Sequence, residues 1–431
     1  MNADVRGHEC GCDTRHPHDK PLTDLFDARQ QLLGLVTPSH GTESVSLAEA
    51  SGRVLAEPIR ARIDLPGVDN SAMDGYALRL SELSASDQPL PISVRIPAGI
   101  DPEPLAVGSC ARIFTGAPIP PGADCVIPQE QVRIDEEGHV HCLAMPSAGQ
   151  HIRHRGEEVQ AGDPLLDAGT RLNAISCAML ASQGMHQLKV RRRVRVALLC
   201  TGSELVVPGT PLAAGQLYNS NATLLAAALK QQHAEVLDLG IVADRAEDMR
   251  QALLDASQMA DLIVCSGGVS VGEEDHVRPC LEQLGAVHLH GIAIKPGKPF
   301  TFGHVGDSLA NGTPVVALPG NPTAALLAWQ LLGQLCLQRR QGMHCQSPPL
   351  QLKRWSVEAG FHKRANRHRR ELLRVRIEPQ RGIPRALLSG SQGSNMLQAA
   401  HAADGYLIVE PGEDILQGEH YGYLPTSQFL A

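Results

Sequence analysis

Hydrophobic and polar positions change their rhythm several times along the chain. Between residues 193 and 345, short apolar runs such as VRVALLC, DLIVC and PVVAL alternate with longer helical patterns such as ATLLAAALKQQH and RAEDMRQALLDAS. Buried strands that alternate with helices are typical of a mostly parallel sheet covered by helices. The pattern therefore predicts a central, doubly wound α/β domain over residues 193–345.

The segments on either side have a different texture. In an N-terminal mixed region, residues 21–192, TDLFDARQQLLGLV predicts a helix capped by Thr23 or Asp24, and SLAEASGRVLAEPI predicts a second helix that ends before Pro58. RLNAISCAMLASQGM predicts a third helix, whereas residues 86–155 carry short β-rich runs between Pro/Gly turns and predict an inserted small β domain.

The two ends of the chain differ from each other. Residues 350–431 are again rich in β patterns, such as ELLRVRI and GYLIVEPG, and predict a C-terminal β-barrel-like or sandwich domain. Residues 1–20 have the composition of a disordered tail, and their C-x-C and H-x-H pairs match no standard zinc spacing.

Composition narrows the classes of function. A net charge of −8 and an aromatic content of only 3% disfavour a nucleic-acid binder that works by bulk electrostatics or base stacking. No apolar run approaches the length of a membrane span, and the first residues lack the apolar region of a secretory signal. The eleven cysteines are mostly scattered singly through apolar stretches, which suits reduced, buried thiols. We therefore expect a multidomain cytoplasmic protein that binds neither nucleic acid nor membrane.

Carboxylates follow several predicted strands of the central domain. Because ligands of such sheets lie beyond the carboxyl ends of the strands, Glu204, Asp244 and Asp275 are expected at one edge. Oxygen ligands with positions left open for phosphate suit Mg²⁺, so the three residues are a predicted magnesium site. Each carboxylate taken alone would equally fit a solvated loop or a helix cap.

Two loops at the same edge, and a further loop that carries two lysines, predict anion binding. The loop CSGGVSVGEED lets consecutive backbone N–H groups face one ligand, and LPGNP leads into a helix start. The loop IKPGKPF is not a Walker A loop, because Pro299 stands where Ser or Thr is required. Tight turns or a surface hairpin would explain each loop by itself. The candidate substrate-binding residues are Ser266, Gly267, Gly268, Ser270, Lys295, Lys298, Pro319, Gly320, Asn321 and Pro322.

Several motifs occur in a fixed order from about residue 22 to 428: DNSAMDGYAL, TGAPIPPGAD, RGEEVQAGD, TGSEL, SGGVSVGEEDHV, IKPGKPFTFG and LPGNPTAAL. Together they resemble the MoeA-type molybdopterin molybdenumtransferases, which are related to the E domain of gephyrin. The resemblance implies an enzyme that hydrolyses adenylylated molybdopterin with the help of Mg²⁺, inserts molybdenum from molybdate, and releases AMP and molybdenum cofactor. It also implies an elongated homodimer whose active cleft uses both subunits.

The resemblance carries roles to matching positions. Asp69 matches the first aspartate of the DNSAMDGY motif and Thr115 the threonine of TGAP. With Glu204 and Asp275, these two are the implied catalytic residues, and Asp244 joins Glu204 and Asp275 as an implied metal ligand.

Three positions depart from the residues that are common in this family: Glu158, Ser203 and Asn219. Ser203 and Asn219 stand where aspartate is frequent, so they would remove negative charge near the presumed ligand edge. The expected geometry of the metal site is affected at those two positions, whereas Glu158 keeps its charge.

Two other functions stay open from the sequence. A molybdopterin adenylyltransferase shares the central fold but lacks the DNSAMDGY and C-terminal modules. A non-catalytic, gephyrin-like scaffold would need none of the carboxylates. The implied partners, beyond a second copy of the chain, are a molybdopterin adenylyltransferase and recipient molybdoenzymes or their chaperones.

Overall fold

In a computed structural model of the chain, residues 21–83, 89–269, 276–347 and 350–429 are described. The chain divides into two compact units. The smaller unit comprises Pro58–Asp167 and Ala178–His186. The larger unit comprises Met1–Glu57, Ala168–Cys177 and Gln187–Ala431.

The larger unit begins with the helix that the sequence predicts. Helix α1 covers Leu25–Leu35, and the side chain of Asp24 accepts a hydrogen bond from the backbone N–H of Phe26 at 2.8 Å. The cap satisfies an N–H group that has no partner inside the helix. Strand β1, Thr42–Ser46, follows.

The second predicted helix, over SLAEASGRVLAEPI, is wrong. Only a short 3-10 turn forms, at Leu47–Glu49. Gly52 then adopts a left-handed φ of 78°, which ends any helical path. Val54 and Leu55 instead form isolated β-bridges to Arg171 and Val190, and their side chains are buried. Burial of these apolar residues against distant partners overrode the local periodicity.

The smaller unit is built mainly of strands. Its six-stranded sheet has the order β7–β4–β6–β5–β9–β8, and the two-stranded ladders β3–β10 and β2–β11 complete it. The strands are β2 Ile59–Arg60, β3 Asn70–Ser71, β4 Gly75–Leu78, β5 Leu90–Ile96, β6 Cys110–Ile113, β7 Cys125–Pro128, β8 Val132–Ile134, β9 His139–Cys142, β10 Ile152–Arg153 and β11 Pro164–Leu166.

Two elements lead to the central domain. Helix α2, Ala174–Ser182, confirms the helix predicted over RLNAISCAMLASQGM. Strand β12, Gln187–Arg191, pairs antiparallel with β1.

The central domain carries the alternation of strands and helices that its sequence predicts. Its strands are β13 Arg195–Thr201, β14 Leu205–Val206, β15 Leu217–Tyr218, β16 Glu235–Val242, β17 Leu262–Ser266, β18 Gly285–His290, β19 Ile294–Lys295, β20 Thr301–Val305 and β21 Thr313–Leu318. Its helices are α3 Ser220–Gln231, α4 Ala246–Met259, α5 Val277–Leu284, α6 Pro322–Ala328 and α7 Gln334–Arg340, with a π-helical segment, Trp329–Gly333, between the last two.

The main sheet has the order β16–β13–β17–β21–β20–β18, and its first four strands are parallel. Alternate residues of β13 face opposite layers. Val196 and Leu198 belong to the apolar cluster that includes α3, whereas Ala197 and Leu199 belong to the cluster that includes α4 and α5. The doubly wound, mostly parallel α/β fold is therefore confirmed. The two antiparallel strands, β20 and β18, were not anticipated from the sequence.

The C-terminal domain is a closed barrel. Strands β22 to β26 pair in the order β23–β24–β22–β26–β25, and β25 returns to pair with β23. Strand β19 of the central domain adds to β23. The predicted barrel-like domain is confirmed. Its elements are β22 Trp355–Ala359, β23 Arg370–Glu378, β24 Arg385–Leu388, α8 Leu397–His401, β25 Gly405–Val409 and β26 His420–Pro425.

Two expectations from composition concern the whole chain. Within the described ranges, no helix combines the length and the apolar character that a bilayer crossing requires. The cysteines of the described residues are free, and burial raises the pKa of Cys200 to about 11. Buried, protonated thiols of this kind are poor nucleophiles and poor metal ligands.

Candidate functional site

The candidate site of the larger unit lies where neighbouring parallel strands end. Thr201 closes β13, Ser266 closes β17 and Leu318 closes β21, with Cys200 opposite Ser266 and Ser266 opposite Leu318 in the ladder. The loops that follow therefore leave the sheet side by side. We call Thr201, Asp244, Ser266–Gly268 and Pro319–Asn321 the strand-end site.

Close approach of backbones explains the glycines of this site. Gly267 has a φ of 95°, and a Cβ atom there would lie 2.2 Å from the carbonyl oxygen of Thr201. Gly268 has a φ of 63°, and its Cβ would lie 2.9 Å from the Thr201 methyl carbon. Only glycine fits both the left-handed backbone and the space. A Cβ on Gly320 would meet Gly267 Cα at 3.6 Å, so the two loops are in contact.

Asn221, which sequence reasoning missed, ties these loops together. Its Nδ2 donates to Ser266 Oγ at 2.8 Å and to the carbonyl oxygen of Gly320 at 2.7 Å. Ser266 Oγ in turn donates to the carbonyl oxygen of Pro319 at 3.1 Å. The only sequence signal was a polar residue at a helix start, which is usually explained by capping.

Asp244 is oriented by the loop after β13. One of its carboxylate oxygens accepts a hydrogen bond from Thr201 Oγ1, and the other accepts from the backbone N–H of Ser203 at 2.7 Å. Asp244 is half-buried, whereas Glu204 is exposed. Because Ser203 contacts Asp244 through its backbone, a serine at this position keeps the contact.

The three-carboxylate magnesium site remains a prediction. Asp275 and Ser270 lie outside the described residues. Within the described part of the chain, no group of three or more His, Cys, Asp or Glu side chains is placed to hold a metal ion. The oxygen donors of Asp244 and Glu204 are nevertheless of the type that Mg²⁺ prefers.

The other two departures from the family pattern differ in setting. Asn219 is buried, and its side-chain oxygen accepts from the backbone N–H of Ala222 at 3.1 Å, so it caps α3. An amide serves this purpose as well as a carboxylate does. Glu158 lies in the smaller unit and is exposed.

The two predicted lysines have different surroundings. Lys295 Nζ lies 3.2 Å from a carboxylate oxygen of Glu371, which is 3% exposed and also pairs with Lys363. Lys298 has no ion-pair partner among the described residues, and its backbone oxygen accepts from the N–H groups of Ile292 and Phe300. Lys298 is therefore better suited than Lys295 to neutralise a bound anion.

The PGNP loop leads into α6 as expected, with Pro322 in the first helical turn. Thr323 connects this start to the barrel domain, since its backbone N–H donates to the carbonyl oxygen of Ser394 at 3.0 Å. The buried guanidinium of Arg374 donates to Thr323 Oγ1 at 3.0 Å and to the carbonyl oxygen of Gly393 at 2.9 Å. The loop is thus held from both sides.

The predicted residues of the smaller unit form a second cluster. Thr115 donates to Asp74 Oδ1 through both its backbone N–H and its hydroxyl, each at 2.7 Å. Asp69 accepts from the backbone N–H of Arg155 at 2.8 Å and lies 3.2 Å from His154 Nδ1. We call Asp69, Asp74, Thr115, His154 and Arg155 the DNSAMDGY cluster.

Both carboxylates of this cluster are held in the charged form. The hydrogen bonds from Thr115 keep the pKa of Asp74 below its usual value. The Arg155 backbone N–H, followed by His154, does the same for the pKa of Asp69. Asp69 and Thr115 are both exposed, so ligands can reach them. Sequence reasoning selected these two residues and missed the partners that orient them.

Three family models match consecutive parts of the chain. The MoeA N-terminal region (domains I and II) matches residues 23–184, a molybdopterin-binding domain described as probable matches residues 197–339, and the MoeA C-terminal region (domain IV) matches residues 356–425. All three belong to molybdenum cofactor biosynthesis, and together they cover the domains described above.

Curated relatives and solved structures agree with these models. The molybdopterin molybdenumtransferase of Haemophilus influenzae is 37% identical over 90% of this chain and 94% of its own length, and that of a Nostoc species is 40% identical over 76% of each. Two structures of the molybdopterin biosynthesis MoeA protein of Pyrococcus horikoshii match 94% of this chain, one with a TM-score of 0.72 at 30% identity and the other with 0.77 at 26%. They cover 99% and 100% of those chains. The chain belongs to the MoeA family of molybdopterin molybdenumtransferases.

Proposed function

We propose that this enzyme inserts molybdenum from molybdate into adenylylated molybdopterin and releases AMP and molybdenum cofactor. The observation that carries the proposal is the strand-end site, in which the glycine-dependent loop of Gly267 and Gly268, the PGNP loop and an oriented carboxylate meet at the end of a parallel sheet. Such an arrangement suits a phosphorylated ligand, since backbone N–H groups at strand-to-helix loops bind anions.

In this proposal the loops bind the pterin phosphate and the carboxylates bind the metal ion. The Gly267 N–H donates to the carbonyl oxygen of Leu318, so the N–H groups around Gly268 and Gly320, together with Lys298, are proposed to hold the phosphate of the pterin. Asp244 and Glu204, with Asp275 outside the described residues, are the proposed magnesium ligands. When bound, Mg²⁺ would neutralise charge on the phosphoanhydride.

Cleavage of the adenylate requires no covalent intermediate on the protein. An oxygen atom of water or of molybdate attacks the phosphorus of the pterin phosphate, the bond from that phosphorus to the bridging oxygen breaks, and AMP leaves with that oxygen. An attacking water loses its proton to solvent, whereas an attacking molybdate stays joined to the phosphate through the new bond until water cleaves it. The chain's own contribution is to hold the anhydride in line for this attack and to exclude alternative geometries.

The DNSAMDGY cluster supplies a second set of groups. The Thr115 hydroxyl donates its hydrogen to Asp74, so its oxygen can accept a hydrogen bond from a donor on a ligand. Asp69 is ionised and fixed by the Arg155 backbone. We propose Asp69 and Thr115 as catalytic residues that orient a substrate. Molybdate itself is anionic and needs lysine, arginine or N–H donors, because carboxylates repel it.

The two alternatives predict other outcomes. An adenylyltransferase would make adenylylated molybdopterin and would not consume it. A scaffold would retain its function after Asp69→Ala. The match of the chain to the MoeA N-terminal and C-terminal models favours the main proposal over the adenylyltransferase. The curated relatives that are named molybdopterin molybdenumtransferase favour it over the scaffold.

The deciding experiment incubates the purified protein with adenylylated molybdopterin, Mg²⁺ and molybdate. We expect release of AMP and a cofactor that activates an apo-molybdoenzyme, with the activation lost when molybdate is omitted. Asp69→Ala should fold and release AMP far more slowly. An adenylate that stays intact with the wild-type protein would overturn the proposal.

We further propose that the protein works in the cytoplasm as a homodimer, receives its substrate from a molybdopterin adenylyltransferase and passes its product to a molybdoenzyme or its chaperone. Light scattering after size exclusion tests the first part. A fully active monomer would refute the shared cleft.

A further inference from the structure

Asn221 occupies a position that no motif of the chain explains. It is the second residue of α3, its side chain is buried, and it is 8% exposed. The cap of this helix is already provided by Asn219. Asn221 instead reaches across two strand ends, to Ser266 at 2.8 Å and to Gly320 at 2.7 Å.

These partners determine how the amide is oriented. The carbonyl oxygen of Gly320 can only accept a hydrogen bond, and Ser266 Oγ uses its proton on Pro319. Both contacts therefore require the amide nitrogen Nδ2. This fixes the orientation of the amide, with its oxygen Oδ1 pointing away from Ser266 and Gly320. Asn221 Oδ1 is buried and has no hydrogen-bond partner among the described residues. A buried acceptor left in this state costs free energy until a donor reaches it.

The nature of that donor follows from electrostatics. Oδ1 carries partial negative charge and repels phosphate oxygens, which are ionised at neutral pH. Backbone N–H groups of the strand-end loops suit those anionic oxygens instead. An N–H or O–H group of the same ligand is the natural partner of Oδ1, and a pterin ring offers N–H donors.

We propose that Asn221 is a substrate-binding residue: Oδ1 accepts a hydrogen bond from a neutral N–H or O–H donor of the substrate, while Nδ2 holds the loops of Ser266 and Gly320 together. This inference rests on the proposed function, in which adenylylated molybdopterin binds at the strand-end site. It gives one side chain two separable tasks, recognition and loop positioning.

The test compares Asn221→Ala with Ser266→Ala in the full-length protein. Ser266→Ala removes both contacts of the hydroxyl, to Asn221 Nδ2 and to the carbonyl oxygen of Pro319, and leaves Oδ1 and the contact to Gly320 in place. Asn221→Ala removes the acceptor Oδ1 together with the Nδ2 contacts to Ser266 and Gly320. We expect the KM for AMP release to rise about tenfold in Asn221→Ala, the loss of one net hydrogen bond, and less than about threefold in Ser266→Ala. The rise in melting temperature on addition of adenylylated molybdopterin should shrink in the same order.

Asn173→Ala serves as the matched control. Asn173 caps α2 by accepting from the Ser176 N–H at 2.9 Å, and its loss should lower stability without changing the KM. If Asn221→Ala does not fold, Asn221→Ser replaces it, because the shorter hydroxyl cannot both bridge the loops and meet the substrate. A KM no higher in the Asn221 variant than in Ser266→Ala overturns the inference. A wild-type protein that releases no AMP overturns the proposed function instead.

Discussion

The close contact between the loop after β17 and the end of β13 can be tested with a single methyl group. Gly267→Ala adds a Cβ atom 2.2 Å from the Thr201 carbonyl oxygen, at a φ of 95°. The left-handed backbone costs an alanine about 1–2 kcal/mol, and an overpacked contact costs about 1–3 kcal/mol more. The free energy of unfolding of the larger unit should therefore fall by about 2–5 kcal/mol.

A matched glycine separates the two contributions. Gly209 lies in the same unit with a φ of 96°, and a Cβ atom there meets nothing within 4 Å. Gly209→Ala should cost only the conformational part, about 1–2 kcal/mol. The difference between the two variants measures the steric contact with Thr201.

Urea unfolding followed by tryptophan fluorescence is the assay, because Trp329 is 1% exposed and reports on the core of the larger unit. The AMP-release rate should also fall by about 100-fold in Gly267→Ala, since the loop must shift by about an ångström. Equal urea midpoints for the two variants would refute the steric argument. Equal AMP-release rates would show that the loop does not position the substrate.

Three other outcomes are expected. Asp74→Ala releases the Thr115 hydroxyl and should slow AMP release by about tenfold, with a modest fall in melting temperature at pH 7; a lower melting temperature with an unaltered rate would give Asp74 a purely structural role. Hydrogen bonds from Arg155 and Thr115 lower the pKa values of Asp69 and Asp74, so the stability they contribute is complete above the ordinary aspartate range, about pH 4, and is lost as the pH falls through the lowered values. Melting curves from pH 7 to pH 3 should show this loss, and a double alanine variant should show a smaller one. Glu371→Gln leaves Lys295 and Lys363 without their buried partner and should destabilise the protein by about 1–3 kcal/mol, whereas Arg250→Gln, in an exposed pair with Glu247, should stay within about 0.5 kcal/mol. The urea midpoints of the two variants provide the comparison. Similar shifts would contradict the expectation that Glu371 and its lysines stabilise the protein more than the exposed pair does.

The relation between sequence and structure differs from element to element. The core strands of the central sheet were predictable because a parallel strand buried on both faces must be apolar throughout, as in VALLC and DLIVC. The failed helix after β1 shows the limit of this reasoning. Its spacing fits a helix, but Val54 and Leu55 find their burial in bridges to residues far along the chain.

The candidate sites divide in the same way. Asp69 and Thr115 were predicted from motifs that the chain shares with the family, and Asp244 was predicted from its place after a strand. Asp74 and Asn221 acquire their roles from contacts to residues 41 and more positions away. No local pattern encodes those contacts.

The sequence by itself determined the alternation of strands and helices in the central domain, the identity of the loops at the strand ends and the family to which the chain belongs. These features follow from local periodicity and from short motifs, which depend only on neighbouring residues. The tertiary structure alone decided that β25 closes the barrel by pairing with β23, that Asn221 joins two loops, and that Glu371 forms an ion pair with Lys295. Such contacts form between distant segments once the whole core has packed, so their energies depend on the complete fold.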